Sequence, residues 1–135
     1  MRALRRVDLE CREEIYQKIA IYVERLTRVW KPQAVLLFGS FARDDVHEGS
    51  DVDIAVIADF REPFLDRIRR LLDLNEGLSL PLEPVGYTPE EFRTMWRVGN
   101  RFVREVAAHG RVLHGDLAGV FPGRRLRGRR DDGTA

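Results

Sequence analysis

Apolar residues recur along the chain with two different periods, and the change of period predicts the order of helices and strands. Val7 to Trp30 has apolar residues at helical spacing with Arg and Glu between them, which predicts an amphipathic helix that ends at Lys31-Pro32. Two shorter apolar runs follow, Ala34 to Phe38 and Asp51 to Ala58. Both are too short for a surface helix and are typical of buried strands.

The segments around these two strands carry turn and helix signals. Ser40 to Arg43 is predicted to be a helical turn, and the polar segment Asp44 to Ser50 has the composition of a loop. After the second strand, Pro63 begins a helix that Gly77 ends. The apolar stripe of this helix is formed by Phe64, Leu65, Ile68, Leu71 and Leu72.

The next pair of elements is a strand followed by a strongly marked helix. Leu78 to Tyr87 is apolar, but Pro81 and Pro84 cannot donate to a ladder, so we predict an edge or bulged strand. Thr88-Pro89-Glu90-Glu91 combines a capping box with proline at the first helical position. This helix is predicted to run to about His109 and to end at Gly110.

Strands interleaved with helices, and a last extended piece over Arg111 to His114, predict an α+β fold with a small mixed β-sheet of three to four strands flanked by helices. A chain of 135 residues is long enough for one such domain. We assign residues 1–122 to it. Residues 123–135 are rich in Gly and Arg and lack apolar anchors, which predicts a disordered tail.

Composition excludes several functional classes. The content of 44% hydrophobic and 33% charged residues is typical of a globular protein. No apolar run is long enough to cross a bilayer, and the basic start lacks the apolar core of a signal peptide, so we expect a cytoplasmic location and no membrane partner. A single cysteine, Cys11, excludes an internal disulfide and a cysteine-based zinc cluster.

Charge distribution argues against nucleic-acid binding by the folded part. The net charge is +1, yet Arg124 to Ala135 alone holds five Arg and two Asp. The first 123 residues therefore carry 18 basic and 20 acidic side chains, from totals of 23 and 22. A nucleic-acid binder would be expected to hold its positive charge on a folded face.

Two short motifs suggest a site for a metal and a phosphate. Asp51 and Asp53 stand two residues apart at the head of a strand, a spacing that directs both carboxylates to the same side. Gly39-Ser40 follows the preceding strand, where a short helix offers free backbone N–H groups to an anion. The two aspartates could bind a cation, and the backbone N–H groups could bind a phosphate. Together they indicate a site for a metal and a nucleotide.

Gly39-Ser40, a ten-residue spacer and Asp51-Val52-Asp53 resemble the signature of the polymerase-β-type nucleotidyltransferase superfamily. Within it they are most similar to the minimal nucleotidyltransferases, the MNT proteins that accompany a HEPN-domain partner. The resemblance covers roughly Ala34 to His114. It implies a polymerase-β-like core and transfer of AMP from ATP to a tyrosine of a partner HEPN ribonuclease, which silences that toxin and makes the MNT protein an antitoxin.

The transfer chemistry needs convergent carboxylates. Two Mg²⁺ ions about 4 Å apart, for which Mn²⁺ can substitute, are held by at least two acids and usually three. Asp51 and Asp53 are two candidates, and the resemblance makes Glu83 the third, as a metal ligand that helps to deprotonate or orient the nucleophile. The alternative is an ordinary exposed strand glutamate, and a strand rotated by one residue would turn Glu83 to the wrong face.

The candidate nucleotide-binding residues each have a simpler structural explanation as well. Gly39 and Ser40 either contact phosphates or only turn the chain. Arg43 matches the family's G-S-x-A-R and either reaches a phosphate or pairs with one of the aspartates at 44 and 45. Ser50 either steadies the aspartates through a hydrogen bond or only forms a turn.

Other chemistries lack their signals. His47, His109 and His114 do not have the spacing of helical metal ligands. The sequence also lacks the motifs G-x-x-x-x-G-K and G-x-G-x-x-G and a nucleophile elbow.

Two alternative functions stay open. One is a non-catalytic antitoxin module that neutralises its partner by contact. The other is transfer to a small molecule such as an aminoglycoside, for which a dimer or separate subunit could complete the site.

Overall fold

The computed structural model describes residues 12–43 and 51–118, which form five helices and four strands. In chain order these are α1 (Arg12–Val29), β1 (Ala34–Phe38), α2 (Gly39–Ala42), β2 (Val52–Ile57), α3 (Phe64–Asp73), β3 (Leu82–Tyr87), α4 (Pro89–Arg97), α5 (Arg101–His109) and β4 (Arg111–Gly115). The predicted start of the first helix, the loop over 44–50 and the tail over 123–135 lie outside the described residues.

The strands form one mixed sheet in the order β3-β2-β1-β4. β1 is antiparallel to both β2 and β4, whereas β2 and β3 are parallel. The predicted α+β fold with a small mixed sheet is therefore confirmed. β3 is an edge strand, as its prolines indicated, although it begins at Leu82 rather than Leu78.

The two faces of the sheet carry separate hydrophobic clusters. Val52, Ile54 and Val56 of β2 pack with α1 and α3, while Ala55 and Ile57 pack with α4 and α5. Because side chains alternate along a strand, odd-numbered residues of β2 face α4 and α5. Asp53 therefore directs its side chain to the α4/α5 face, opposite Val52 and Ile54, and Asp51 directly precedes the strand.

The prediction of one helix from Thr88 to about His109 is wrong, because the helix breaks between α4 and α5. Gly99 adopts a left-handed conformation with φ +77°, which ends α4. The side chain of Asn100 then accepts a hydrogen bond from the Val103 N–H at 3.1 Å and caps α5. The predicted capping box at Thr88 is present.

The predicted stripe on α3 is only partly buried. Leu71 is fully buried, but Leu65 is 74% exposed. The other buried position of α3 is Arg67, which donates to the Gly86 carbonyl at 3.1 Å and to both carboxylate oxygens of Glu91. Arg67 thus ties α3 to the edge strand and to α4, a long-range arrangement that apolar periodicity does not reveal. No helix in the described ranges has the length and apolarity needed to cross a membrane.

Candidate functional site

Asp53 lies in the middle of a row of side chains that crosses three strands. Its Cα pairs with Phe38 on β1 and with Glu83 on β3. Residues directly opposite one another in a sheet share a face, so Phe38, Asp53 and Glu83 all lie on the α4/α5 face. The one-residue rotation that would turn Glu83 away from the aspartates does not occur.

The electrostatics of the site centre on the Asp53 carboxyl. Its pKa is raised from 3.8 to about 6, chiefly by burial and then by the negative charges of Asp51 and Glu83, while the positive charge of Arg43 opposes the rise. The structure therefore places Asp51 and Glu83 within electrostatic reach of Asp53. A positive charge placed among them would favour ionisation of Asp53.

Gly39 lies directly against the Asp53 carboxyl. It has φ +72°, a left-handed conformation that favours glycine. A Cβ built at this position would overlap Asp53 Oδ2 and would lie 3.1 Å from Cγ. The bend between β1 and α2 consequently packs on the acid, and both the backbone conformation and the lack of space require glycine. Ser40 follows in the first turn of α2, half-buried.

Arg43 makes a contact that sequence analysis missed. Its Nη1 donates to Glu105 Oε2 on α5 at 2.8 Å, in an ion pair whose side chains are 39% and 42% exposed. Glu105 is 62 positions away in the sequence, on the polar side of a helix, where no local signal distinguishes it. The predicted alternative partners at 44 and 45, and the candidate Ser50, lie outside the described residues.

The three acids do not form a closed set of metal ligands in this structure. Within residues 12–43 and 51–118, no group of three or more His, Cys, Asp or Glu side chains is arranged closely enough to hold a metal ion. Electrostatic influence extends further than a metal–oxygen bond, so both observations hold: Asp51 and Glu83 repel the Asp53 carboxylate, but the three acids are not arranged at ligand distance. Their carboxylate oxygens are the donors that Mg²⁺ prefers.

A cavity of about 560 Å³ lies at the other end of β3 and is lined in part by Phe64, Tyr87 and Met95. Tyr87 is four residues from Glu83, a separation of about 13 Å along a strand. The cavity is therefore separate from the acidic row, which is the candidate site because it combines charge, burial and the glycine bend.

Comparison with known proteins points to one family. The sequence profile of the nucleotidyltransferase domain matches residues 19–113, a range that includes the glycine bend and the acidic row. A chain in the crystal structure of a toxin–antitoxin with AMP-PNP is similar over 75% of this chain and 77% of its own length, with 25% sequence identity and a TM-score of 0.55. No curated protein matches the chain.

Proposed function

This chain belongs to the nucleotidyltransferase domain family, and on that premise we propose that it is an Mg²⁺-dependent enzyme that transfers AMP from ATP to a tyrosine of a partner HEPN ribonuclease toxin. Modification would silence the toxin, so the chain would act as an antitoxin. The observation that carries this proposal is the row in which Asp53 lies opposite Glu83 and against Gly39, with Asp51 two residues away.

The proposed reaction is an in-line displacement at the α-phosphorus of ATP. A bond forms from the acceptor oxygen to the α-phosphorus, the bond from this phosphorus to the bridging oxygen breaks, and pyrophosphate leaves. The hydroxyl proton passes to a base, a role that we assign to the exposed Glu83. Gly39 would present its backbone to the phosphates, Ser40 would offer its N–H and hydroxyl, and Arg43 would supply positive charge. Ser50 remains a predicted contact.

The donor chemistry of the site fits a divalent cation. Asp51, Asp53 and Glu83 would hold Mg²⁺, or Mn²⁺ in its place, because hard cations prefer carboxylate oxygens. The pKa of Asp53 is raised first by burial and then by the charges of Asp51 and Glu83, and a cation beside these acids would favour the ionised form of Asp53. When bound, the metal supplies neutralisation of phosphate charge and alignment of the attacking and leaving oxygens.

The nature of the partner rests on two kinds of support. The structural relative is a toxin–antitoxin with AMP-PNP, which supports a toxin as partner and an adenine nucleotide as substrate. The HEPN identity and the tyrosine acceptor are implied by the resemblance of the Gly39-Ser40 and Asp51-Val52-Asp53 motifs to those of the MNT proteins.

Transfer of label from ATP to the partner tests the proposal. The purified chain is incubated with α-³²P-ATP, Mg²⁺ and the product of a neighbouring HEPN reading frame, and we expect label on a partner tyrosine. Asp53→Asn should abolish labelling. Asp59→Asn, a matched change at an exposed aspartate beyond the other end of β2, should retain it.

Two other outcomes would replace the proposal. If the partner stays unlabelled with Mg²⁺ and with Mn²⁺ but its ribonuclease activity is still inhibited on mixing, the chain is a binding module that acts by contact. If label appears instead on an aminoglycoside offered as acceptor, the substrate is a small molecule. Labelling by Asp53→Asn at the wild-type rate would exclude the metal mechanism.

A further inference from the structure

The backbone of Arg43 is held next to the candidate site by a hydrogen bond. It directly follows α2, and its N–H donates to the carbonyl of Gly39 at 3.1 Å. Gly39 in turn packs against the Asp53 carboxyl. The start of the Arg43 side chain is therefore fixed relative to the acidic row, while its long flexible stem leaves the position of the guanidinium undetermined.

Glu105 determines where the guanidinium lies. Its carboxylate accepts a hydrogen bond from Arg43 Nη1 at 2.8 Å, and its helix is anchored independently of α2. Val103 and Val106 of α5 are fully buried. Phe102, one turn before Glu105, packs edge-on against Phe38 with ring centroids 4.9 Å apart.

The Arg43–Glu105 pair links two elements beside the site, unlike the helical surface pairs of this chain. Phe38 lies directly opposite Asp53, so α5 is held next to the acidic row. By contrast, Glu24 and Arg28 form a pair four residues apart within α1, with side chains 61% and 74% exposed. The side chains of Arg43 and Glu105 are also solvent-exposed, at 39% and 42%, and exposed ion pairs add little to folding stability. Stability alone therefore does not account for a link between α2 and α5.

We propose that Glu105 is a positioning residue: it holds the Arg43 guanidinium at the rim of the acidic row, ready to contact the triphosphate of ATP. Within the described part of the chain, Arg43 makes a side-chain hydrogen bond only through Nη1, and a planar guanidinium can use a second edge for a phosphate. The positive charge of Arg43 already reaches Asp53. This inference rests on the proposed function, because it assigns Arg43 to the nucleotide.

Because Glu105 is itself negatively charged, its positioning role can be distinguished from a purely electrostatic role by ATP binding. If Glu105 acted only through its charge, its removal would relieve repulsion and tighten ATP binding. If it positions Arg43, its removal should weaken binding, since the bound guanidinium must then be ordered by the nucleotide itself. The two roles predict opposite signs.

The test is calorimetric titration of the full chain with AMP-PNP and Mg²⁺. We expect Glu105→Ala to raise the Kd roughly fivefold, Glu105→Gln to restore most of the affinity by accepting the same hydrogen bond, and Glu24→Ala to have no effect. In an Arg43→Ala background, Glu105→Ala should change nothing further, because its effect passes through Arg43.

Any other result would contradict the positioning role of Glu105, and each would indicate a different explanation. Tighter binding by Glu105→Ala would show that Glu105 competes with the phosphates, and unchanged binding would show that Arg43 needs no support. An equal loss in the Arg43→Ala background would show a general effect on α5, which urea unfolding would reveal as lost stability. A wild-type chain that binds no AMP-PNP would overturn the proposed function itself.

Discussion

Replacement of Asp53 by asparagine removes a charge where the folded chain makes a charge costly. The carboxyl is partly buried against Gly39, and its pKa is raised to about 6, first by that burial and then by Asp51 and Glu83. The folded state therefore holds the proton more tightly than the unfolded state. The contribution of Asp53 to wild-type stability should be highest below the ordinary pKa of 3.8, should fall as the pH rises to about 6, and should change little above it.

The size of the effect follows from the two pKa values. A rise from 3.8 to about 6 corresponds to about 3 kcal/mol, at 1.36 kcal/mol per tenfold change in proton affinity. Solvent screens a carboxyl that is only partly buried, which reduces the expected figure to about 1–2 kcal/mol. We therefore expect Asp53→Asn to stabilise the metal-free fold by that amount at pH ~7.5 and to have little effect at pH ~4.

Urea unfolding in the presence of a chelator measures this difference, with Asp59→Asn as an exposed control that should lie within about 0.5 kcal/mol of wild type. Added Mg²⁺ should stabilise the wild type but not Asp53→Asn, because a ligand stabilises only the state that binds it. A variant that is less stable than wild type at pH ~7.5, or that differs from it equally at both pH values, would refute the electrostatic reasoning.

Three further substitutions test the local structure. Gly39→Ala should destabilise the fold by about 1–2 kcal/mol, since φ is +72° and the new Cβ meets Asp53; urea unfolding in an Asp53→Ala background should show a smaller loss, and an equal loss would contradict the contact. Thr88→Ala should cost about 1 kcal/mol through the lost helix cap, whereas thermal unfolding should find Thr94→Ala near neutral. Arg67→Lys should cost about 2 kcal/mol, because lysine cannot make the forked contacts of the buried guanidinium; an unchanged denaturation midpoint would show that those contacts add nothing.

Local chemistry was sufficient to predict the elements that frame the site. β1 has its predicted bounds because four consecutive buried residues end at a glycine bend. The capping box at Thr88 needs only neighbouring residues, so α4 begins where expected. The break at Gly99-Asn100 also had local signals, a helix-ending glycine and a capping asparagine, but the apolar periodicity continues across it and hides the interruption.

Contacts between distant parts of the chain could not be predicted in the same way. The position of Glu83 depends on its register with Asp53, which the partner strand sets. Arg67 is buried because the carbonyls of Glu62 and Gly86 and the carboxylate of Glu91 accept its hydrogen bonds. In each case a polar residue takes its role from a partner that folding brings near, and the sequence alone does not name that partner.

The balance of charge around Asp53 constrains how the site can bind a nucleotide. Among the described residues that act on this carboxyl, two are acidic, Asp51 and Glu83, and Arg43 is basic. The charge of Arg43 is already shared with a further acid, Glu105. A triphosphate that approaches this group brings more negative charge to a carboxyl on which two acids already act. Simple Coulomb repulsion therefore opposes binding of the nucleotide alone, and a cation that enters with it reverses the sign. On the proposed function, metal and nucleotide binding are consequently coupled by the protein's own charges.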